Sequence, residues 1–246
     1  MNACVTTTTG GFNVEPSDEE SLENYIQLAV AYFDADGMPN ARRHLNNALE
    51  IDSRNSKAYN ILALISQREG DLELAIENFQ QAVRLDQDNA RVRNNYAALL
   101  FSTGDYENAF EELLTVTQDA MYEGQAVAFE NLGRTAVSLN RLEEAEVAFT
   151  RALQLNSNLY ISLIEFTLLR YQRGDWPGAR QAFRQYLTTT EFCSLQHTPR
   201  ALLAGITIES RFNNQKLFDD FTRIPTTLYQ DSPEYAELQQ RMTDAN

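Results

Sequence analysis

The chain has 246 residues, 43% of them hydrophobic and 22% charged, with ten glycines and six prolines; this suits one large domain or two small ones and excludes collagen-like, disordered and disulfide-dense classes. Thirty-five acidic against 20 basic residues give a formal charge of −15, which repels a phosphate backbone and removes nucleic acid from the expected partners. Two cysteines (Cys4, Cys193) and two histidines (His44, His197) fall short of the convergent ligands a metal needs, and no run of 18 apolar residues predicts a membrane span.

Residues 1–21 read as a flexible acidic leader. Thr6 to Thr9 and Gly10-Gly11 are followed by Glu15, Asp18, Glu19 and Glu20 with no basic residue, a composition that solvates rather than packs. Met1-Asn2-Ala3-Cys4 leaves no room for the charged and apolar regions of a secretory signal.

From residue 22 the chain repeats itself. One alanine recurs as Ala41, Ala75, Ala109, Ala145 and Ala179, at intervals of 34, 34, 36 and 34. Four residues on comes a large apolar group (Leu45, Phe79, Leu113, Phe149, Phe183), and twelve residues before comes a mostly small one (Ala29, Ala63, Ala97, Gly133, Thr167). A turn signal separates the two halves at Asp36-Gly37, Gly70-Asp71, Gly104-Asp105, Asn140-Arg141 and Gly174-Asp175. Small residues at these spacings let two helices cross closely while the large residue fills the wedge between them. The pattern resembles tetratricopeptide repeats, over 22–55, 56–89, 90–123, 126–159 and 160–193. The family's closing proline is missing, and the turn-forming strings DSRN, DQDN and NSN stand in its place in repeats 1, 2 and 4.

A sixth, degenerate unit over 199–232 keeps the apolar period through Leu202, Leu203, Ile206, Leu217 and Phe221 but places Phe218 where the alanine belongs, as terminal repeats do. Ser232-Pro233-Glu234 then supplies a helix N-cap, a first-turn proline and a first-turn acid, opening a capping helix over 233–243. The expected fold is all-α: a right-handed α-solenoid of six tetratricopeptide hairpins with a C-terminal capping helix, forming a single domain over 22–246.

No Gly-rich phosphate loop, nucleophile elbow or zinc-helix motif is present, so catalysis and a small-molecule substrate are not expected. His44 lies on the second helix of repeat 1 beside the Leu45 core position and reads as a partly buried or solvated side chain. What a solenoid offers is a concave face lined by first helices. The register projects onto it Lys57, Asn60 and Leu64 from repeat 2, Arg91, Asn94, Asn95 and Phe101 from repeat 3, and Glu130, Asn131 and Arg134 from repeat 4. Amides and charges there would hydrogen-bond a partner segment, with Leu64 and Phe101 as apolar anchors. Chaperone-binding members of the superfamily hold a C-terminal carboxylate with a Lys, Asn and Arg clamp. Asn95 matches one position, but Val127 and Asn131 occupy those of the next repeat's Lys and Arg, which disfavours a co-chaperone role.

Three strings exceed what the repeat requires: NARVRNNYAALL at 89–100, TQDAMYEGQAVAFENLGR at 117–134 and LYQDSPEY at 228–235. They are similar to the PilF/PilW family of type IV pilus biogenesis lipoproteins. That resemblance implies a non-enzymatic pilotin without cofactors, which binds the outer-membrane secretin PilQ and promotes its localisation and multimerisation, supporting pilus assembly and twitching motility. It also implies lipidation of Cys4, since Ala3-Cys4 resembles the end of a lipoprotein processing site, and hence anchoring at the periplasmic face of the outer membrane. The apolar stretch that should precede such a site is absent, which points to a start upstream of Met1 or to a trimmed chain. The competing expectation is a cytosolic or periplasmic repeat scaffold with an unrelated protein client.

Overall fold

The computed structural model describes residues 17–193, 197–214, 216, 231–233, 235, 236 and 239. Every regular element among them is helical, and the helices come in hairpins: α1 (Asp18–Asp34) with α2 (Met38–Ile51), α3 (Ser56–Glu69) with α4 (Leu72–Leu85), α5 (Ala90–Thr103) with α6 (Tyr106–Gln118), α7 (Gln125–Ser138) with α8 (Leu142–Leu155), and α9 (Tyr160–Gln172) with α10 (Trp176–Cys193). Helix α11 (Pro199–Arg211) follows. The all-α tetratricopeptide fold expected from the register is the one observed.

The repeating residues explain the hairpins. All five register alanines, and the five large residues four positions on, are 0% exposed, so each second helix turns one stripe inward. Each hairpin turn is marked by one left-handed residue five positions before its alanine: Asp36, Gly70, Gly104, Asn140 and Gly174, with φ between 57° and 85°. Glycine takes that conformation without penalty, and Asn and Asp tolerate it best among the rest. Asn213, just after α11, has the same left-handed signature (φ 52°) and lies five residues before Phe218 in the sequence. The second half of that unit lies outside the described residues.

The strings standing in for the closing proline act through their side chains. Asn55 Oδ1 accepts from the Ala58 N–H at 3.0 Å and Asn89 Oδ1 from the Val92 N–H at 3.2 Å, so the end of one repeat caps the first helix of the next. Asp52 and Asn156 accept from the N–H two residues on, at 2.9 and 3.0 Å, closing the chain into Asx turns.

At the N-terminus the helix begins earlier than the acidic leader allowed. Ser17 and Glu20 form a reciprocal capping box: the Glu20 N–H donates to Ser17 Oγ and the Ser17 N–H to Glu20 Oε2, both at 3.2 Å. Asp18, Glu19 and Glu20 are thus first-turn acids facing the positive end of the α1 dipole, not tether. The rest of the leader, including Cys4, lies outside the described residues.

The chain divides between Val92 and Arg93 into two compact units. In the first, Ile26, Ala29, Leu45, Ala48, Ile61 and Ile65 form one core. The second holds two clusters. Phe110, Leu113, Leu132 and Phe149 centre one; Leu163, Phe183, Tyr186 and Leu202 centre the other, with Tyr235 packed against it. Ser232 Oγ accepts from the Tyr235 N–H at 3.1 Å, the contact expected of an N-cap. Beyond those residues the capping helix is not described.

Candidate functional site

In the first unit, the register positions predicted to face a partner behave differently from one another. Lys57 is exposed and reaches back one repeat to Glu23, its Nζ 3.4 Å from the carboxylate. Leu64 is half-buried, and Asn60 is buried at 9% exposure, so it serves the packing between repeats more than solvent. Arg91 stands exposed on the first turn of α5.

In the second unit, four of the predicted residues come together. Phe101 is held half-buried between two neighbours: the Arg134 guanidinium lies 4.8 Å over its ring, and Tyr106 meets it edge-on at 5.3 Å. Nearer the N-termini of the same two helices, Asn131 Nδ2 donates to Asn94 Oδ1 at 3.3 Å, linking α7 to α5. Asn95 is half-buried beside them in sequence. The result is a cation held on an aromatic ring and a pair of amides held on each other, both linking α5 to α7 before any partner arrives. Preorganisation of this kind lowers the ordering cost of binding.

Glu130 departs from the expectation of an exposed groove acid. It is 6% exposed, and its Oε2 accepts from both the Ser162 N–H at 2.9 Å and the Ser162 hydroxyl at 2.7 Å. The reason lies in α9, whose N-cap position is occupied by Leu159, a side chain that cannot accept. Glu130 supplies the missing acceptor from the preceding repeat, and its negative charge sits at the positive end of the α9 dipole.

The histidines are accounted for by aromatic neighbours. His44 stacks on Tyr32 with ring centroids 5.3 Å apart and lies 6.0 Å from Tyr25. His197 Nδ1 lies 3.0 Å from the Tyr186 hydroxyl, and burial pushes the imidazole pKa below its ordinary 6.5. Among the described residues no group of three or more His, Cys, Asp or Glu could hold a metal, and no helix is long and apolar enough to cross a membrane.

Models of tetratricopeptide repeats match residues 68–104 and 126–159. The type IV pilus assembly protein PilF of Pseudomonas aeruginosa is 31% identical over 242 residues, covering 97% of this chain and 93% of its own length. The chain belongs to the PilF family of type IV pilus assembly proteins. It is the family that the strings at 89–100, 117–134 and 228–235 resemble. A solved structure of Pseudomonas aeruginosa PilF superposes with a TM-score of 0.83 over 91% of this chain and 99% of that one. A crystal structure of PilW, described as a widely conserved type IV pilus biogenesis factor, shares the fold at a TM-score of 0.73 and 21% identity, over 89% of this chain and 98% of that one. Within this family fold, sequence reasoning missed Tyr106, which pins Phe101. The available signal was its place immediately after Gly104-Asp105, where a large ring at the start of a second helix can fold back onto the preceding one.

Proposed function

We propose that this protein is a non-enzymatic pilotin. It binds the outer-membrane secretin subunit PilQ through first-helix faces and promotes the subunit's localisation and multimerisation, while a lipid on Cys4 holds it at the periplasmic face of the outer membrane. The observation that carries the reading is the 31% identity to PilF across nearly the whole of both chains. The chemistry of the Arg134, Phe101, Asn94 and Asn131 patch supports it, since an aromatic and an arginine in a prearranged polar setting are the residue types that dominate protein interfaces. Lys57, Leu64, Arg91 and Asn95 extend the same kind of surface on their own helices; Asn60 and Glu130 act behind it as packing.

The test is the affinity of purified PilQ subunit for the chain and two charge reversals, Arg134→Glu on the patch and Arg184→Glu on the exposed face of α10. Loss of a charged interface contact of this type costs about 2 kcal/mol or more, so the first change weakens binding by at least about thirtyfold while the second leaves it within about twofold. Equal affinities for the two variants would remove the patch from the account. For the anchor, mass spectrometry of the protein isolated from cells shows a diacylated or triacylated N-terminal Cys4; an unmodified peptide spanning residues 1–16 contradicts it.

A further inference from the structure

The connection between α6 and α7 is longer than its counterparts. It has six residues, 119–124, where the connections after α2, α4 and α8 have four, and this is the origin of the 36-residue interval between Ala109 and Ala145. Its own hydrogen bonds close it. Asp119 Oδ1 accepts from the Met121 N–H at 2.9 Å and the Asp119 carbonyl from the Tyr122 N–H at 3.2 Å. Gln125 Nε2 donates to the carbonyls of Asp119 and Thr117 at 3.2 and 3.5 Å. Gly124 leaves room for the Tyr122 ring, since a Cβ there would stand 2.5 Å from Cζ. The side chain this turn holds out is Met121, 89% exposed. An exposed apolar residue by itself needs no explanation, but a methionine on a pinned loop is an adaptable contact whose backbone is ordered before a partner arrives.

The helix leading into the loop supplies its surroundings. Glu107, Glu111, Leu114 and Gln118, spaced four, three and four residues, are all exposed, and they fall within roughly 60° of arc over about 17 Å at 100° and 1.5 Å per residue. This stripe is turned roughly 140° from the buried one of Ala109, Phe110, Leu113 and Val116. Leu114 is its apolar member, and Met121 follows three residues beyond its end. No lysine or arginine occurs between Arg93 and Arg134, while seven carboxylates do. Glu112 is neutralised by Arg93, and Glu130 is buried against Ser162. Asp105, Glu107, Glu111, Asp119 and Glu123 have no cationic partner among the described residues. The cation that approaches α6 from the next hairpin, Arg141, lies 4.5 Å over the ring of buried Phe110, and α8 opens with two more exposed carboxylates, Glu143 and Glu144.

That charge also discriminates among occupants. It repels an anionic bilayer; the leader before Ser17 contains no basic residue to answer it, and a second copy brings a formal charge of −15. We propose that the α6 stripe and the α6–α7 loop form a docking surface for a basic segment of a partner protein. An apolar side chain of the segment packs on Met121 and Leu114, while flanking lysines or arginines face Glu107, Glu111 and Glu123. The surface is separate from the Phe101 patch and stands or falls without it.

The repeat supplies an internal control: Glu73 and Glu77 on α4 hold the register of Glu107 and Glu111, 34 residues earlier, and α4 leads into a connection of only four residues. The experiment follows backbone amide shifts of the ¹⁵N-labelled full chain at about 0.15 M salt. Three blocked peptides are titrated: lysines around a central leucine, lysines around a central serine, and glutamates around a central leucine. The lysine–leucine peptide shifts the amides of Leu114, Met121 and Glu123 saturably, the serine peptide binds at least about threefold more weakly, and the glutamate peptide does not bind. Met121→Ser weakens the lysine–leucine peptide by at least about fivefold, and Glu107→Gln with Glu111→Gln by at least about threefold, while Tm is unchanged. Glu73→Gln with Glu77→Gln leaves its binding within about twofold. The inference is overturned if the leucine and serine peptides bind equally, if α4 amides shift as much as those of α6, or if either the Met121 or the Glu107 and Glu111 substitutions leave binding unchanged. It is likewise overturned if the same amides shift on concentrating the chain alone, which makes the occupant a second copy, or on adding phosphatidylglycerol vesicles, which makes it a bilayer.

Discussion

At the scale of single residues, the positions that matter most are those fixed by a partner on another helix. Gly133 holds the small position of its hairpin, and a Cβ there would stand 2.6 Å from the ring of Phe149, which is fully buried and has nowhere to swing. Gly133→Ala gains somewhat in helix propensity, but overpacking costs about 1–3 kcal/mol, so the variant melts at lower temperature. A Tm equal to or above that of the unaltered chain would contradict this packing. Glu130 makes the parallel case for a polar group. Glu130→Ala leaves the Ser162 N–H buried without an acceptor and costs about 1–3 kcal/mol, whereas Glu130→Gln keeps an acceptor oxygen and costs less; chemical denaturation of the pair measures the difference. His197 adds a pH dependence. Its folded pKa is lowered by burial, so as pH falls through 6.5 the unfolded chain takes up the proton first and stability drops; above that range the imidazole is neutral in both states and the loss vanishes. His197→Gln flattens the change in Tm between pH 7 and pH 5.5, and an unchanged slope would place the titration elsewhere.

At the scale of elements, the register was legible because it is a repeated physical requirement. Closely crossing helices need a small residue, a wedge needs a large one and a tight turn needs a left-handed one, and each appears five times at one spacing. The degenerate sixth unit shows how far such reading goes: Phe218 stands where the alanine belongs in the sequence, while Asn213, five residues earlier, has the left-handed conformation of the five hairpin turns. What remained illegible depends on non-repeating partners. Period alone places Glu130 on an exposed face; only the inability of Leu159 to cap α9 draws it inward. Ser17 was within reach, because Ser-Asp-Glu-Glu is a capping box in plain sequence, but its run of acids also fits a solvated tether. Ser17→Ala removes one half of that box, costing about 1 kcal/mol locally, and speeds amide exchange through the first turn of α1. Unchanged protection of Glu20 and Ser21 would show that the box does not hold the helix start.

At the scale of the whole molecule, identity to PilF extends over 97% of the chain, so both compact units belong to the family match. The second unit presents a face on which a cation, a ring and a pair of amides are held in place. Such a face is what the proposed adaptor role requires, since its work is to hold another protein in a productive place. The fraction of PilQ recovered as outer-membrane multimers, in cells with and without this protein, tests that role most directly. The account predicts mostly unassembled subunits in the deletion strain, full rescue by the unaltered chain and by Arg184→Glu, and poor rescue by Arg134→Glu. Normal multimers in cells lacking the protein would contradict it.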